Sequence, residues 1–207
     1  MRRTDFEGDP DELAAVLDMA RDGQLGIVDA AGWPRVVPVN FAWMDGAIYF
    51  HGATEGEKYT LLKAMPKVCF SAYAAYSYVP SYWRSQSYAC PASIYYKSAH
   101  IRGTGSVVEN MEEKARGAQA LMEKHQPEGG HVKIQAGDPL YAKALVETAV
   151  FKIEPVEITM KSKFGQNLPE EARRGLIEKL EQRGGEIDKK TAEEMRRTFE
   201  KGGAVDS

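Results

Sequence analysis

The sequence predicts a mainly β fold with peripheral helices, built on six antiparallel strands that close into a barrel. Three observations carry this expectation. Short β-rich runs joined by glycine turns fill residues 24–51, further β-rich runs cover residues 68–78, 94–108 and 149–159, and one short helical segment interrupts them at residues 54–64. The chain has 207 residues, 43% of them hydrophobic, which suits one sizeable core with appendages and excludes global disorder.

Taken in order, Asp9-Pro10-Asp11-Glu12 sets a capping side chain, a proline and two acids ahead of Leu13, Val16, Leu17 and Ala20 on one face. This spacing predicts a helix ending near Gly23. Leu25-Gly26-Ile27-Val28, Val36 to Trp43 and Ala47 to His51 then form an antiparallel meander with turns at Ala30-Ala31-Gly32 and Asp45-Gly46. The helix at residues 54–64 carries Tyr59, Leu61 and Leu62 and stops before Pro66. Between the fourth and fifth strands, residues 73–96 hold seven Tyr and Trp83, a stretch too aromatic for an ordinary solvated loop and expected to line or cover something. Asn110 caps a helix running to about His125, and residues 126–138 read as a glycine-rich connection. Residues 169–183 form an amphipathic helix stopped by Gly184-Gly185, residues 188–201 a second charged helix, and the last residues are expected to fray. The expected division is a barrel domain over residues 1–160, including the N-terminal helix, and a helical extension over residues 161–207.

Charge narrows the class of function. Lys and Arg number 27 against 30 Asp and Glu, a net charge of −3, so a cationic protein that coats nucleic acid is disfavoured. The Arg173-Arg174 and Arg196-Arg197 pairs lie on acid-rich helices and read as solvated faces. Cys69 and Cys90 stand apart with no C-x-x-C and no neighbouring His, so neither a disulfide framework nor a zinc site is indicated and no metal is expected. The opening Met1-Arg2-Arg3 is followed by no apolar run, and no membrane span is present in the sequence; the expected location is the cytoplasm.

The most informative stretch is Ile48 to Lys58, a strand ending in a glycine-bearing turn that opens a helix with Lys58 in its first turns. Exposed backbone N–H groups, a helix N-terminus and an ammonium together suit an anion. On the residues alone it also suits a capped helix with solvated Glu and Lys. Tyr96-Lys97-Ser98 is a second basic cluster, in which Lys97 and Ser98 face opposite sides of a strand and serve one phosphate only near a rim or bulge. An ordinary edge strand explains it as well. His51 ends its strand beside the Lys58 turn, where a neutral imidazole could hydrogen-bond a ring, exchange a proton or ligate a metal, or serve structure alone. No G-x-S-x-G, Walker A or G-x-G-x-x-G pattern is present.

Seven pieces in this order, Gly26-Ile27-Val28, Pro38-Val39-Asn40-Phe41, Tyr49-Phe50-His51-Gly52-Ala53, Gly56-Glu57-Lys58, Ala89-Cys90, Tyr96-Lys97-Ser98 and Gly103-Thr104-Gly105, resemble the flavin-binding split-barrel proteins related to pyridoxamine 5'-phosphate oxidase. The nearest branch is the nitroimidazole-resistance (Nim) type, and the match covers roughly residues 13–124. The resemblance implies a six-stranded antiparallel split β-barrel, a homodimer, and FMN in a groove at the dimer interface. It implies phosphate contacts from Lys58, Lys97 and Ser98, with Tyr96 and Gly52 nearby. The strand Val37-Pro38-Val39-Asn40 is implied as the edge on which the flavin ring lies, and His51 as the histidine near the cofactor.

Related barrels also hold haem or the deazaflavin F420, so a haem protein with His51 as axial ligand stands as an alternative to an FMN-dependent, nitroreductase-like oxidoreductase. A flavin-responsive regulator without enzymatic activity is a third reading. It is suggested by Lys161-Ser162-Lys163-Phe164-Gly165-Gln166-Asn167, similar to the K-x-S-Q-N element of FMN-binding regulators except that Gly165 replaces Ser. Tyr82, Trp83 and Arg84 are expected to form a lid over a small planar substrate, with a nicotinamide as electron donor. The arginine and histidine pair by which pyridoxamine phosphate oxidases hold their substrate has no counterpart in this chain.

Overall fold

A computed structural model of the chain describes residues 4–202, and their side chains through residue 199. The expected fraying of the last residues lies outside the described residues. Six strands form the sheet: β1 (Asp22–Val28), β2 (Pro34–Met44), β3 (Ala47–Ala53), β4 (Lys67–Val79), β5 (Ser93–Val107) and β6 (Thr148–Lys163). They close in the order β1-β2-β3-β6-β5-β4, with β4 returning antiparallel onto β1, so the expected six-stranded antiparallel split barrel is what the chain forms. Six α-helices accompany them: α1 (Leu13–Met19), α2 (Glu57–Ala64), α3 (Met111–His125), α4 (Pro139–Glu147), α5 (Glu170–Arg183) and α6 (Glu186–Gly202).

The chain divides into two compact units. The barrel unit is Leu13–Tyr73 and Ala99–Thr159; the second unit gathers the described residues of Met1–Glu12, Ala74–Ser98 and Met160–Ser207. Strands β4, β5 and β6 each contribute residues to both. In the barrel unit, alternation along the strands sends Leu25, Ile27, Phe41, Ile48, Phe50, Phe70 and Ile153 out of solvent. Phe50 and Phe151 stack with ring centroids 5.0 Å apart, and Phe41 meets Phe70 edge-on at 4.9 Å. The Asp45-Gly46 turn has positive φ at both residues, 52° and 77°, and hands β2 to β3 with Met44 opposite Ala47.

Helix α3 is fastened across β3. Asn110 caps it by accepting the Glu113 backbone N–H at 2.9 Å. The Tyr49 hydroxyl donates to Glu113 at 2.7 Å, and Lys152 lies 3.2 Å from the same carboxylate. Burial, with the hydrogen bond to Glu113 second, pushes the Tyr49 phenol up to about 12, so it stays a donor at any physiological pH.

Three sequence expectations are corrected. The N-terminal helix stops at Met19, ahead of Gly23, which lies within β1 opposite Val39 and Ala72. A Cβ at Gly23 would stand 2.1 Å from the Phe70 ring, so this glycine serves strand packing rather than helix termination. Helix α4, which the sequence expectations do not include, follows directly on the expected glycine-rich connection. Asp138 caps it by accepting the Leu140 N–H at 2.9 Å, with Pro139 at its first position, the same signature as Asp9-Pro10. The tyrosines of the Tyr-rich segment lie mostly in strands: Tyr73, Tyr76 and Tyr78 belong to β4 and Tyr95 and Tyr96 to β5, leaving residues 80–92 between them.

In the second unit, Arg173 is buried rather than solvated. Its guanidinium stacks 3.8 Å from the Phe199 ring centroid and bonds the Thr198 hydroxyl. Arg174, Arg196 and Arg197 pair with Glu170, Glu181 and Glu194, so both arginine pairs are engaged within their own unit.

Candidate functional site

The site begins where the β2–β3 ladder opens. Pairing runs from Met44 opposite Ala47 to Phe41 opposite Phe50 and stops. Beyond it, residues 34–40 pair with β1 alone, and His51, Gly52 and Ala53 pair with β6 alone. Continuing the register would set Asn40 opposite His51 and Val39 opposite Gly52. The seam therefore brings together two groups predicted from sequence, Val37-Pro38-Val39-Asn40 on one side and His51-Gly52 on the other. Backbone polar groups along such an opening need partners outside the ladder, which suits the polar edge of a planar ligand.

Lys58 completes this arrangement. It lies in the first turn of α2, whose N-cap is Gly56 at φ 96°, and its Nζ approaches the His51 carbonyl oxygen at 3.4 Å. The ammonium lies 5.4 Å from the ring centroids of both Phe50 and Phe151. A Cβ on Gly52 would stand 2.8 Å from Lys58 Nζ, so the absent side chain at Gly52 is what admits the charge. Among the described residues no carboxylate pairs with Lys58; the neighbouring Glu57 is held instead by Arg35 at 2.9 Å. Half-burial lowers the Lys58 pKa from its usual value, the mark of a cation lacking a counter-charge. The phosphate end of a flavin fits these residues.

His51 is exposed overall, yet shielding of part of its ring lowers its pKa, with the charges of Lys58 and then His125 adding to the effect. It is therefore a neutral imidazole at pH 7. His125 is a residue that sequence reasoning did not connect to the site. It ends α3, and its Nε2 lies 3.1 Å from the Phe41 carbonyl oxygen; that oxygen only accepts, so Nε2 carries the proton. Beside it, Lys124 lies over the Phe41 ring at 3.3 Å and donates to the Leu17 carbonyl at 2.7 Å, and burial lowers its pKa to about 8. Nothing in the local sequence links position 51 to position 125; only the packing of α3 on β3 does so.

Lys97 and Ser98 are buried in β5. The Lys97 ammonium lies 2.9 Å from Glu12 and 2.8 Å from Glu194. Two carboxylates satisfy this lysine and would repel a phosphate. Tyr96 is half-buried beneath Lys161 Nζ, 5.6 Å from the ring centroid. Of the expected lid, Tyr82 is exposed, whereas Trp83 is fastened to α5: its carbonyl accepts from Lys179, and the Arg183 guanidinium lies 4.8 Å from its ring centroid. Among the described residues no group of three or more His, Cys, Asp or Glu is placed to hold a metal ion, and no helix is long and apolar enough to cross a membrane.

A family model described as pyridoxamine 5'-phosphate oxidase matches residues 9–162, most of the chain. The chain belongs to this family. Solved structures share the fold at low identity. A candidate 5-nitroimidazole antibiotic resistance protein from Bacteroides thetaiotaomicron is 24% identical, with a TM-score of 0.61 over 75% of this chain and 85% of that one. The flavocytochrome Anf3 from Azotobacter vinelandii is 20% identical, with a TM-score of 0.61 over 80% and 72%. An FAD- and haem-binding protein from Mycobacterium smegmatis is 20% identical, with a TM-score of 0.60 over 86% and 78%. No protein in the curated set matches the chain by sequence.

Proposed function

We propose that this protein is an FMN-binding oxidoreductase that reduces a planar acceptor such as a nitro-aromatic compound, with a nicotinamide as electron donor. The observation that carries this reading is the half-buried Lys58 ammonium, held below Gly52 with no carboxylate partner among the described residues. Family membership and the flavin named for two of the solved relatives support it. A bound flavin supplies hydride and single-electron chemistry. The chain supplies the anchoring charge at Lys58, the backbone edge of Val37 to Asn40 against the ring, and at His51 a neutral imidazole that can hydrogen-bond the ring or relay a proton from solvent.

The test is an absorption spectrum of freshly purified protein with mass spectrometry of the molecule released by heat. Flavin bands and released FMN are expected. A haem Soret band, or a colourless protein that refuses FMN in titration, would sink the reading, the first of these in favour of His51 as an iron ligand. Changing His51 to Ala should leave FMN affinity within about twofold while lowering turnover roughly 100-fold, the scale of a lost proton-transfer group. Unchanged turnover in steady-state assays removes His51 from the mechanism.

The functional form we propose is a homodimer. Val36 and Val156 are 66% and 80% exposed, unusual for large aliphatic residues, and both border an apolar groove of about 430 Å³ that also includes Val28 and Pro34. The double substitution Val36→Glu with Val156→Glu should convert a dimer to a monomer in light scattering and weaken FMN retention. A double variant that remains dimeric rules out this face.

A further inference from the structure

Lys124 takes no part in the flavin chemistry, and its surroundings are those of a reactive amine. It lies in the last turn of α3, where its Nζ donates to the Leu17 carbonyl of α1 at 2.7 Å and stands 3.3 Å from the centroid of the Phe41 ring. A carbonyl oxygen and an aromatic face can each take an N–H, and neither takes a lone pair. A neutral amine has two N–H groups for these two acceptors, which leaves its lone pair unshared. The side chain also borders a cavity of about 570 Å³ within the barrel unit, with Trp43, Met44 and Ile134 on its apolar side and Lys133 among its polar residues.

Burial and charge act on this amine in opposite directions. Burial is the larger influence and lowers its pKa to about 8, while Asp18 in α1 and Asp22 at the start of β1 pull it back up. On α3 itself Glu123 and His125 flank it in sequence, and Arg116 on the same cavity is held by Asp45 at 2.9 Å. At pH 7 about one such amine in ten is neutral, against about one in 2,500 for a lysine with the ordinary value near 10.4. Lys58 makes the same two kinds of contact more loosely, 3.4 Å from a carbonyl oxygen and 5.4 Å from its ring centroids.

We propose that Lys124 is an acylation site whose co-reactant is a small acyl phosphate. The amine lone pair attacks the acyl carbon and forms an N–C bond. The C–O bond to the phosphate breaks with its electron pair on the leaving oxygen, and the nitrogen gives one proton to solvent, so the products are a neutral amide and inorganic phosphate with nothing oxidised or reduced. An acyl phosphate is a mixed anhydride that reacts with a free amine in neutral water without further activation. It is also small, and the cavity falls within the range of small-molecule sites, with room for the donor and for the acyl group it leaves behind. Lys133 on the same cavity supplies positive charge toward the anionic donor. The site shares no residue with the Lys58 seam and stands whether or not the seam binds flavin.

The test is a timed reaction of the full-length protein, as purified, with acetyl phosphate near neutral pH, with the acetylation rate at each lysine read by peptide mass spectrometry. Lys124 is expected to react at least about tenfold faster than Lys133 on the same cavity and than Lys143, whose side chain is 84% exposed. It should also outpace Lys58, with or without bound flavin. The Lys124 rate should level off above about pH 8 while the Lys143 rate is still climbing. Asp18→Asn, at an exposed position where folding is not at stake, should move the midpoint of the Lys124 profile to lower pH. Concentrated urea should abolish the advantage of Lys124, because the clamp and the cavity belong to the folded chain. A Lys124 rate no greater than those of Lys133, Lys143 or Lys58 would overturn the proposal. So would a rate that climbs without levelling, a midpoint that Asp18→Asn leaves in place, or an advantage that persists in urea.

Discussion

FMN affinity is expected to fall roughly 10- to 100-fold when Lys58 is changed to Gln, the range given by losing a charge-assisted hydrogen bond worth about 1.5–3 kcal/mol. The fold should survive, because the removed charge is half-buried and no carboxylate among the described residues is left without its partner. Gly52→Ala is the sharper companion. Its new Cβ meets the far end of a flexible side chain at 2.8 Å, so stability should change little while the ammonium is pushed from its place and FMN affinity drops several-fold. Fluorescence titration beside thermal melting separates these effects. Because the Lys58 pKa is depressed, the charge is lost on the alkaline side before the usual value near 10.5 is reached, and affinity should decline there first. Undiminished FMN binding in Lys58→Gln would remove the phosphate assignment.

The largest stability effect is expected at Asp188. Although it lies in the first turn of α6, its carboxylate is buried. It accepts two bonds from Arg183, at 2.8 and 2.5 Å, and the Ser77 hydroxyl from β4. The Ser77 backbone N–H is accepted in turn by the Thr191 hydroxyl at 3.1 Å. The Arg183 bonds above all hold the Asp188 pKa down to about 2. A depressed carboxyl pKa contributes stability that is fully present above the unfolded value near 3.8 and is lost as pH falls through 3.8 toward 2. Asp188→Asn should therefore lower unfolding stability by about 2–3 kcal/mol at pH 7, with the difference from the parent shrinking below about pH 4. Urea melts at pH 7 and pH 3 would reveal this, and a difference that stays constant with pH would refute the charge-based account.

Much of the fold was legible because its signals are local. Asp45-Gly46 specifies a tight hairpin through the backbone conformations these two residues tolerate, and Asn110 marks the start of α3 through one side-chain acceptor. The same grammar was present at Asp138-Pro139, where α4 begins, but the glycines before it drew the reading toward an unstructured connection. Gly23 misled in the opposite way: a glycine after an apolar run signals a helix stop, yet its missing side chain makes room for Phe70, brought from β4.

The candidate site divides along the same line. Strand alternation, the turn that opens α2, and the presence of Lys58 and His51 near its start depend on neighbours within a few positions and are written locally in the chain. Long-range packing sets the rest: the β2–β3 ladder opens at Asn40 and His51, His125 from α3 shares the field of His51, and Lys97 is satisfied by Glu12 and Glu194 while Lys58 has no such partner among the described residues. The chemical nature of a lysine is visible in its letter. Whether its charge is free to meet a ligand depends on which carboxylates the closed chain carries to it, and those lie far away in sequence.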